Sequence, residues 1–244
     1  MSIEVSSASR PDMAERVLIT GGAAGIGRAT AERCRHDGYE VVVIDREGDG
    51  IRADLTDPDA TAQALAAALR EGPITRLVNN VGMVRGAPVE AQTLADLDAV
   101  VSLNLRCALQ CLQALLPGMK AAGFGRVVSI SSRAALGKEQ RTAYAATKAG
   151  LIGMTRVWAL ELGAHGITAN AIGPGPIRTA LFDAANPPGA PRTQAIVDAI
   201  PVKRMGTPED VAHAVAFLLD ERSGFVTGQV LYVCGGMTAG AAPI

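Results

Sequence analysis

The sequence predicts an α/β fold, a doubly wound sheet of about seven parallel strands flanked by helices, and three observations carry that expectation. Short β-branched runs alternate along the chain with alanine-rich helical stretches, the order a parallel sheet with crossover helices requires. Hydrophobic residues make up 48% of the 244 positions but aromatics only 3%. The core must therefore be built from Ala, Val, Leu and Ile, which suits strands buried on both faces. Finally, the glycine-rich "TGGAAGIG" (20–27) follows the first strand candidate and opens a helix, the arrangement of Rossmann-type dinucleotide sites.

In chain order the strand candidates are "RVLIT" (16–20), "EVVVID" (40–45), "GIRAD" (50–54), "TRLVNN" (75–80), "GRVVSIS" (125–131), "GITANAI" (166–172) and "QVLYVC" (229–234). Helices are expected over 26–37, 58–70, 94–122, 143–163 and 208–220, the last opened by Thr207 as N-cap before Pro208. Only "REGDG" (46–50) separates the second and third strands, too short for the usual crossover of about a dozen residues, so the helix expected there is absent or reduced to a loop. The segment 173–194 holds five prolines and three glycines. It reads as irregular, and 175–205 as a substrate loop. Residues 1–14 read as a flexible arm, and 1–244 as one dinucleotide-binding catalytic domain without repeats.

A net charge of -1 and a pI near 6.3 offer no field for a nucleic acid backbone. The sequence shows neither an apolar run of membrane-spanning length nor a signal peptide, so a soluble, cytoplasmic protein is expected. Cys34, Cys107, Cys111, Cys234 and the three histidines lack metal-ligand spacing, and no metal site is expected.

Ligands of such sheets bind beyond the carboxyl ends of the strands, where strand order reverses. Gly21, Gly25 and Gly27, with Ile26 between, let the backbone turn sharply against a pyrophosphate at a helix N-terminus. Asp45 ends the second strand, 18 residues past Gly27. There a carboxylate accepts hydrogen bonds from a ribose and repels a 2'-phosphate, which favours NAD over NADP; NADP stays possible because Arg46 stands beside it. Asp54, followed by Leu55, ends the third strand within reach of an adenine, or is a turn acid. In "NNVG" (79–82), Asn79 reads as a structural brace, and Asn80 and Gly82 as cofactor contacts. Ser131 and Ser132 stand at the mouth of the fifth strand.

In "TAYAATKAG" (142–150), Tyr144 and Lys148 are four residues apart on one helical face. A cation about 4 Å away, at an effective dielectric of about 20, favours phenolate by about 4 kcal/mol, on the order of three pKa units. That brings Tyr144 into the working range of a general acid or base. Ala145, Ala146, Ala149 and Gly150 would let a nicotinamide or a partner helix approach.

With "TGGAAGIG", "NNVG", "SLNL" (102–105), "SISS" (129–132), "YAATK" (144–148), "IGPGPIRT" (172–179) and "GQVLYVCGG" (228–236) in order, the chain resembles the short-chain dehydrogenase/reductases from about Arg16 to Gly236. The resemblance implies hydride transfer between a nicotinamide and a carbonyl or secondary alcohol. Tyr144 would exchange the proton, Lys148 lower its pKa and hold the nicotinamide ribose, and Ser132 position the substrate oxygen. Asn104 would hold a relay water, while Pro174, Gly175, Ile177 and Thr179 line the nicotinamide pocket. It also implies a homotetramer built on the helices 94–122 and 143–163, whose Cys107, Leu109, Cys111 and Trp158 suit either that interface or an intrachain core. Two other readings remain, an NADPH-dependent 3-oxoacyl-thioester reductase and a non-catalytic dinucleotide sensor or scaffold. Three departures stand out. The serine–tyrosine interval is one residue short, which leaves Ser131 and Ser132 in competition with Ser132 ahead. The crossover after Asp45 is abbreviated, and Cys234 takes a position where the family commonly has aspartate.

Overall fold

The computed structural model describes residues 15–240, so the N-terminal arm expected over 1–14 lies outside them. Seven parallel strands, β1 (Arg16–Thr20), β2 (Glu40–Asp45), β3 (Ile51–Arg52), β4 (Arg76–Asn79), β5 (Gly125–Ile130), β6 (Ile167–Pro174) and β7 (Val230–Val233), form one sheet in the order β3-β2-β1-β4-β5-β6-β7. β1 pairs with β2 on one side and β4 on the other. The direction of winding reverses there, and the crevice opens beyond Thr20 and Asn79.

Period-two alternation divides the core between the two faces of the sheet. Leu18 and Leu77 face one way, into a cluster with Leu65, Leu115, Leu151 and Trp158; Val17, Ile19 and Val78 face the other, against Val211, Val215 and Leu219. Helices α2 (Pro58–Ala68), α4 (Cys107–Ala122) and α5 (Thr142–Leu162) supply the first cluster, α1 (Gly25–His36) and α8 (Pro208–Leu219) the second. Thr207 caps α8 in a reciprocal box with Asp210, as its place before Pro208 predicted.

Between β2 and β3 there is no helix. The loop turns back through Gly48 (φ 86°), and a Cβ on Gly50 would lie 2.5 Å from the Val43 carbonyl oxygen.

The helix predicted over 94–122 is interrupted. α3 (Leu94–Val101) passes into a π-turn, Ser102–Arg106, before α4 resumes. Its 29 residues are long and apolar enough to span a bilayer by length and composition, contrary to the sequence reading, but Cys107, Cys111, Leu112, Leu115 and Met119 are buried in the core. Cys107, Cys111 and Trp158 thus belong to the intrachain core, and only Leu109 of the four interface candidates is exposed.

The segment read as irregular holds two short helices, α6 (Ala180–Ala185) and α7 (Pro191–Asp198). The Thr179 hydroxyl caps the first and Pro191 starts the second. The prolines that suggested disorder of the backbone include one at the helix position where proline fits best.

Candidate active site

The cleft begins at the glycine loop. Gly21 (φ 69°) and Gly25 (φ 53°) adopt the left-handed region, and a Cβ on Gly27 would stand 2.0 Å from the Gly21 carbonyl oxygen. Only glycine lets α1 start this close to β1. Ala24 at the N-cap has no side-chain oxygen, and the first turn carries no acid. The helix N-terminus therefore keeps N–H donors and positive potential for an anion.

Asp45 lies beside this loop. One carboxylate oxygen accepts from the Ala23 N–H at 3.0 Å and the other from the Glu47 N–H at 3.3 Å. Arg46 is 80% exposed and turned to Glu47 at 3.6 Å. Asp54 sits past the short β3, exposed, its Oδ1 accepting from the Thr56 N–H and hydroxyl, which hold its pKa below the usual carboxylate range. Leu55 is buried in the core.

The bracing side chain is not the one expected. Asn80 is the brace: its amide donates to the carbonyls of Thr20 and Gly21, both at 2.9 Å, and its N–H to the Thr20 hydroxyl. Asn79 is 4% exposed, and neither of its side-chain polar atoms has a hydrogen-bond partner. Being the last residue of β4, it turns its side chain into the sheet layer, so residue 80 is the first free to reach sideways.

On α5, Tyr144 and Lys148 do share a face, with the Lys148 Nζ 5.6 Å from the centre of the Tyr144 ring. The predicted electrostatics differ. Lys148, 3% exposed, points its ammonium at the Ile130 carbonyl, 2.6 Å away, and burial lowers its pKa to about 8. Tyr144, half-buried, has its pKa raised. Burial outweighs the opposing hydrogen bond from Ser132 and the charge of Arg141. The expectation of a lowered phenol pKa is thus not met: burial of the phenol prevails, and the ammonium is engaged by the Ile130 carbonyl.

The competing serines separate cleanly. Ser131, 2% exposed, donates its hydroxyl to the Lys148 carbonyl at 2.8 Å and so ties β5 to α5. Ser132 is half-buried, acts to lower the pKa of Tyr144, and accepts from the Ala134 N–H at 3.1 Å.

Asn104 sits in the π-turn, where the N–H of Cys107 reaches back five residues to the Ser102 carbonyl. Such bulges recur at functional sites because they turn a side chain out of helical register. Asn104 Oδ1 accepts from the Met83 N–H at 2.9 Å, and its amide donates to the Met83 carbonyl and the Thr147 hydroxyl at 3.1 and 3.0 Å. It clamps the loop after β4 onto α5. A Cβ on Gly82 would lie 3.2 Å from Asn104 Oδ1 and 3.3 Å from Lys148 Nζ, so glycine lets the loop after β4 pack closely on both. Gly150 admits Leu105 of the π-turn, whereas Ala146 and Ala149 are exposed.

Beyond β6, Pro174 ends the strand, and a Cβ on Gly175 would come within 2.8 Å of Cys234. Ile177 is buried beneath, its backbone bridged to Gly206, and the methyl of Thr179 lies 3.4 Å from a Cβ placed on Gly25. Thr179 thus closes the glycine loop from the opposite side. No group of three His, Cys, Asp or Glu side chains among the described residues is arranged to hold a metal. The bare helix N-terminus and the glycine cradle fit a dinucleotide phosphate.

A family described as enoyl-(acyl carrier protein) reductase matches residues 21–238. The chain belongs to the short-chain dehydrogenase/reductase family. It is a nicotinamide-dependent oxidoreductase, like the relatives that share the fold. It is 38% identical to the (2S)-[(R)-hydroxy(phenyl)methyl]succinyl-CoA dehydrogenase subunit BbsD of Thauera aromatica, over 90% of this chain and 94% of that one. It is 36% identical to the 3-oxoacyl-[acyl-carrier-protein] reductase MabA of Mycobacterium tuberculosis, over 98% and 100%. Among solved structures, levodione reductase superposes with a TM-score of 0.87 at 32% identity, covering 93% and 98% of the two chains. A gluconate 5-dehydrogenase from Beutenbergia cavernae with bound NADP gives 0.85 at 34%, covering 93% and 97%.

Proposed function

We propose that this short-chain dehydrogenase/reductase is a single-domain carbonyl reductase or alcohol dehydrogenase that prefers NAD, with Tyr144 as general acid and base. The observation that carries the proposal is the convergence of Tyr144, Ser132 and Lys148 on one cleft beyond β5. When bound, the nicotinamide dinucleotide supplies or accepts the hydride. Gly21, Gly25, Ile26 and Gly27 would hold its phosphates, Asp45, Arg46, Asp54 and Leu55 its adenosine end, and Asn80, Gly82, Pro174, Gly175, Ile177 and Thr179 the rest. Ser132 donates a hydrogen bond to the substrate oxygen, and Tyr144 delivers its proton to that oxygen as carbon is reduced. Lys148 would hold the nicotinamide ribose and share the proton path, while Asn104 positions α5 beneath it. A raised phenol pKa keeps Tyr144 protonated at neutral pH, so reduction runs there and oxidation gains as pH rises.

The NAD preference rests on Asp45, whose carboxylate beside the glycine loop would repel a 2'-phosphate, and on Arg46, which is engaged with Glu47. A cytoplasmic homotetramer, with 175–205 folding over the substrate, completes the reading. The likeness to MabA favours a second reading, an NADPH-dependent 3-oxoacyl-thioester reductase.

A screen of secondary alcohols, hydroxy acids and acyl thioesters with both dinucleotides, followed by nicotinamide absorbance, tests the proposal. Tyr144→Phe should lower kcat/KM by about 10²- to 10⁴-fold and leave dinucleotide binding intact. An unaltered rate in that variant sinks the role of Tyr144, and no turnover with tight dinucleotide binding favours the sensor. NADPH binding tighter than NADH by about tenfold, or 1.4 kcal/mol, overturns the role of Asp45.

A further inference from the structure

The substrate side of the cleft carries an uncompensated positive patch. Three cations, Arg133, Lys138 and Arg141, fall in the nine residues between Ser132 and Thr142, and Arg192 joins them from α7. Arg133 opens the 3-10 turn that Ser132 caps, and Arg141 is the N-cap residue of α5, three positions before Tyr144. Lys138 has its pKa lowered, first by burial and then by the charges of Arg141, Arg133 and Arg192.

Three other arginines are paired with acids. Arg85 pairs with Asp96 at 3.9 Å, Arg178 with Asp183 at 3.7 Å and Arg204 with Asp210 at 2.6 Å. None of Arg133, Lys138, Arg141 and Arg192 forms an ion pair among the described residues, although the protein has 24 acidic residues for 23 basic ones. Glu139, the acid nearest in sequence, is exposed and pairs with none of them. The Arg141 guanidinium is half-buried, and its one hydrogen bond goes to the Gln140 carbonyl at 2.8 Å. Its other donors remain for a ligand. Gln140 itself is held at φ 57°, a strained conformation for a residue with a side chain.

Unpaired arginines in a fork geometry beside a catalytic hydroxyl pair suit bidentate recognition of an anionic oxygen group. We propose that Arg133, Lys138, Arg141 and Arg192 form a subsite for a carboxylate or phosphate on the substrate, and that Arg192 brings α7 over it. The inference rests on the oxidoreductase reading of the Tyr144 cleft and narrows its substrate class to anionic carbonyl compounds.

Three probes with the same 3-oxo group test it on the full chain loaded with dinucleotide: acetoacetate, acetoacetyl-CoA and neutral ethyl acetoacetate. The expected result is a kcat/KM for at least one anionic probe at least about tenfold above the ester, carried mainly by KM. Acetoacetate leading identifies the anion as the substrate's own carboxylate, acetoacetyl-CoA as the phosphates of its carrier. Lys138→Gln and Arg192→Gln, two surface changes, should each cut that anionic-to-neutral ratio by about threefold, and together by about tenfold. A ratio near one, or a ratio that both variants leave unchanged, overturns the subsite and makes the patch a solvated rim. If no probe is reduced, calorimetry decides. The same ordering of affinities, lost in the variants, supports the subsite while counting against the oxidoreductase reading; equal or absent binding overturns the subsite.

Discussion

At the amino end of the sheet, Arg16, Arg76 and Arg126 are buried to 4%, 1% and 4% exposure, and each is surrounded by partners. Arg16 meets Glu40 at 2.6 Å and the carbonyls of Ala68 and Gly72. Arg76 pairs with Glu15 at 3.0 Å and lies over the rings of Tyr39 and Phe124, and Arg126 donates to four carbonyls and stacks on Phe124. At the carboxyl end Lys148 is as deeply buried, with one carbonyl and no carboxylate. The cost of taking a cation out of water is similar at both ends, so the difference lies in what offsets it. Pairing with several partners, complete but for the buried Nη1 of Arg76, locks a charge in place and suits architecture. A charge left short of partners titrates nearer neutrality, which suits proton transfer.

Removing the cation at each end is the sharpest way to break this contrast. Arg76→Ala should cost about 4 kcal/mol in denaturant unfolding, from lost packing and lost ring contacts, with kcat little changed. A large fall in kcat without loss of stability would erase the distinction. Lys148→Met should reduce turnover severely, and its stability relative to wild type should depend on pH. The folded pKa of Lys148, about 8, lies below its ordinary 10.5. Between these values the unfolded chain binds more protons, so wild-type stability rises with pH. Over about pH 7 to about pH 10 the wild type should gain roughly 2 to 3 kcal/mol on the Met variant; a flat difference would show that Lys148 is not the depressed group. The smallest effect separates adjacent serines. Ser131→Ala should cost about 1 kcal/mol of stability for its lost bond to the Lys148 carbonyl. Ser132→Ala should instead act on kcat, by about a hundredfold. Reversed outcomes would return the catalytic role to Ser131.

Much of this architecture was legible in the chain because its signals are local. β-branched runs, "TGGAAGIG" and the short "REGDG" link marked the strands, the glycine turn and the missing crossover helix. The i,i+4 spacing of Tyr144 and Lys148 fixed their common face. The helices α6 and α7 were missed, although Thr179 and Pro191 are ordinary starting signals, because five prolines in one segment masked them. The π-turn at Asn104 had only an asparagine inside an apolar helix to announce it.

Tertiary structure decided what depends on distant partners. It chose Asn80 over Asn79 as the brace, assigned Cys107, Cys111 and Trp158 to the core, and turned Ser131 toward α5. It also reversed the expected shift of Tyr144, because burial of the phenol outweighs the influences that lower it. Periodicity and turn chemistry act over a few residues and can be read in order along a chain. Desolvation and charge depend on three-dimensional distance, as the different surroundings of Arg76 and Lys148 show.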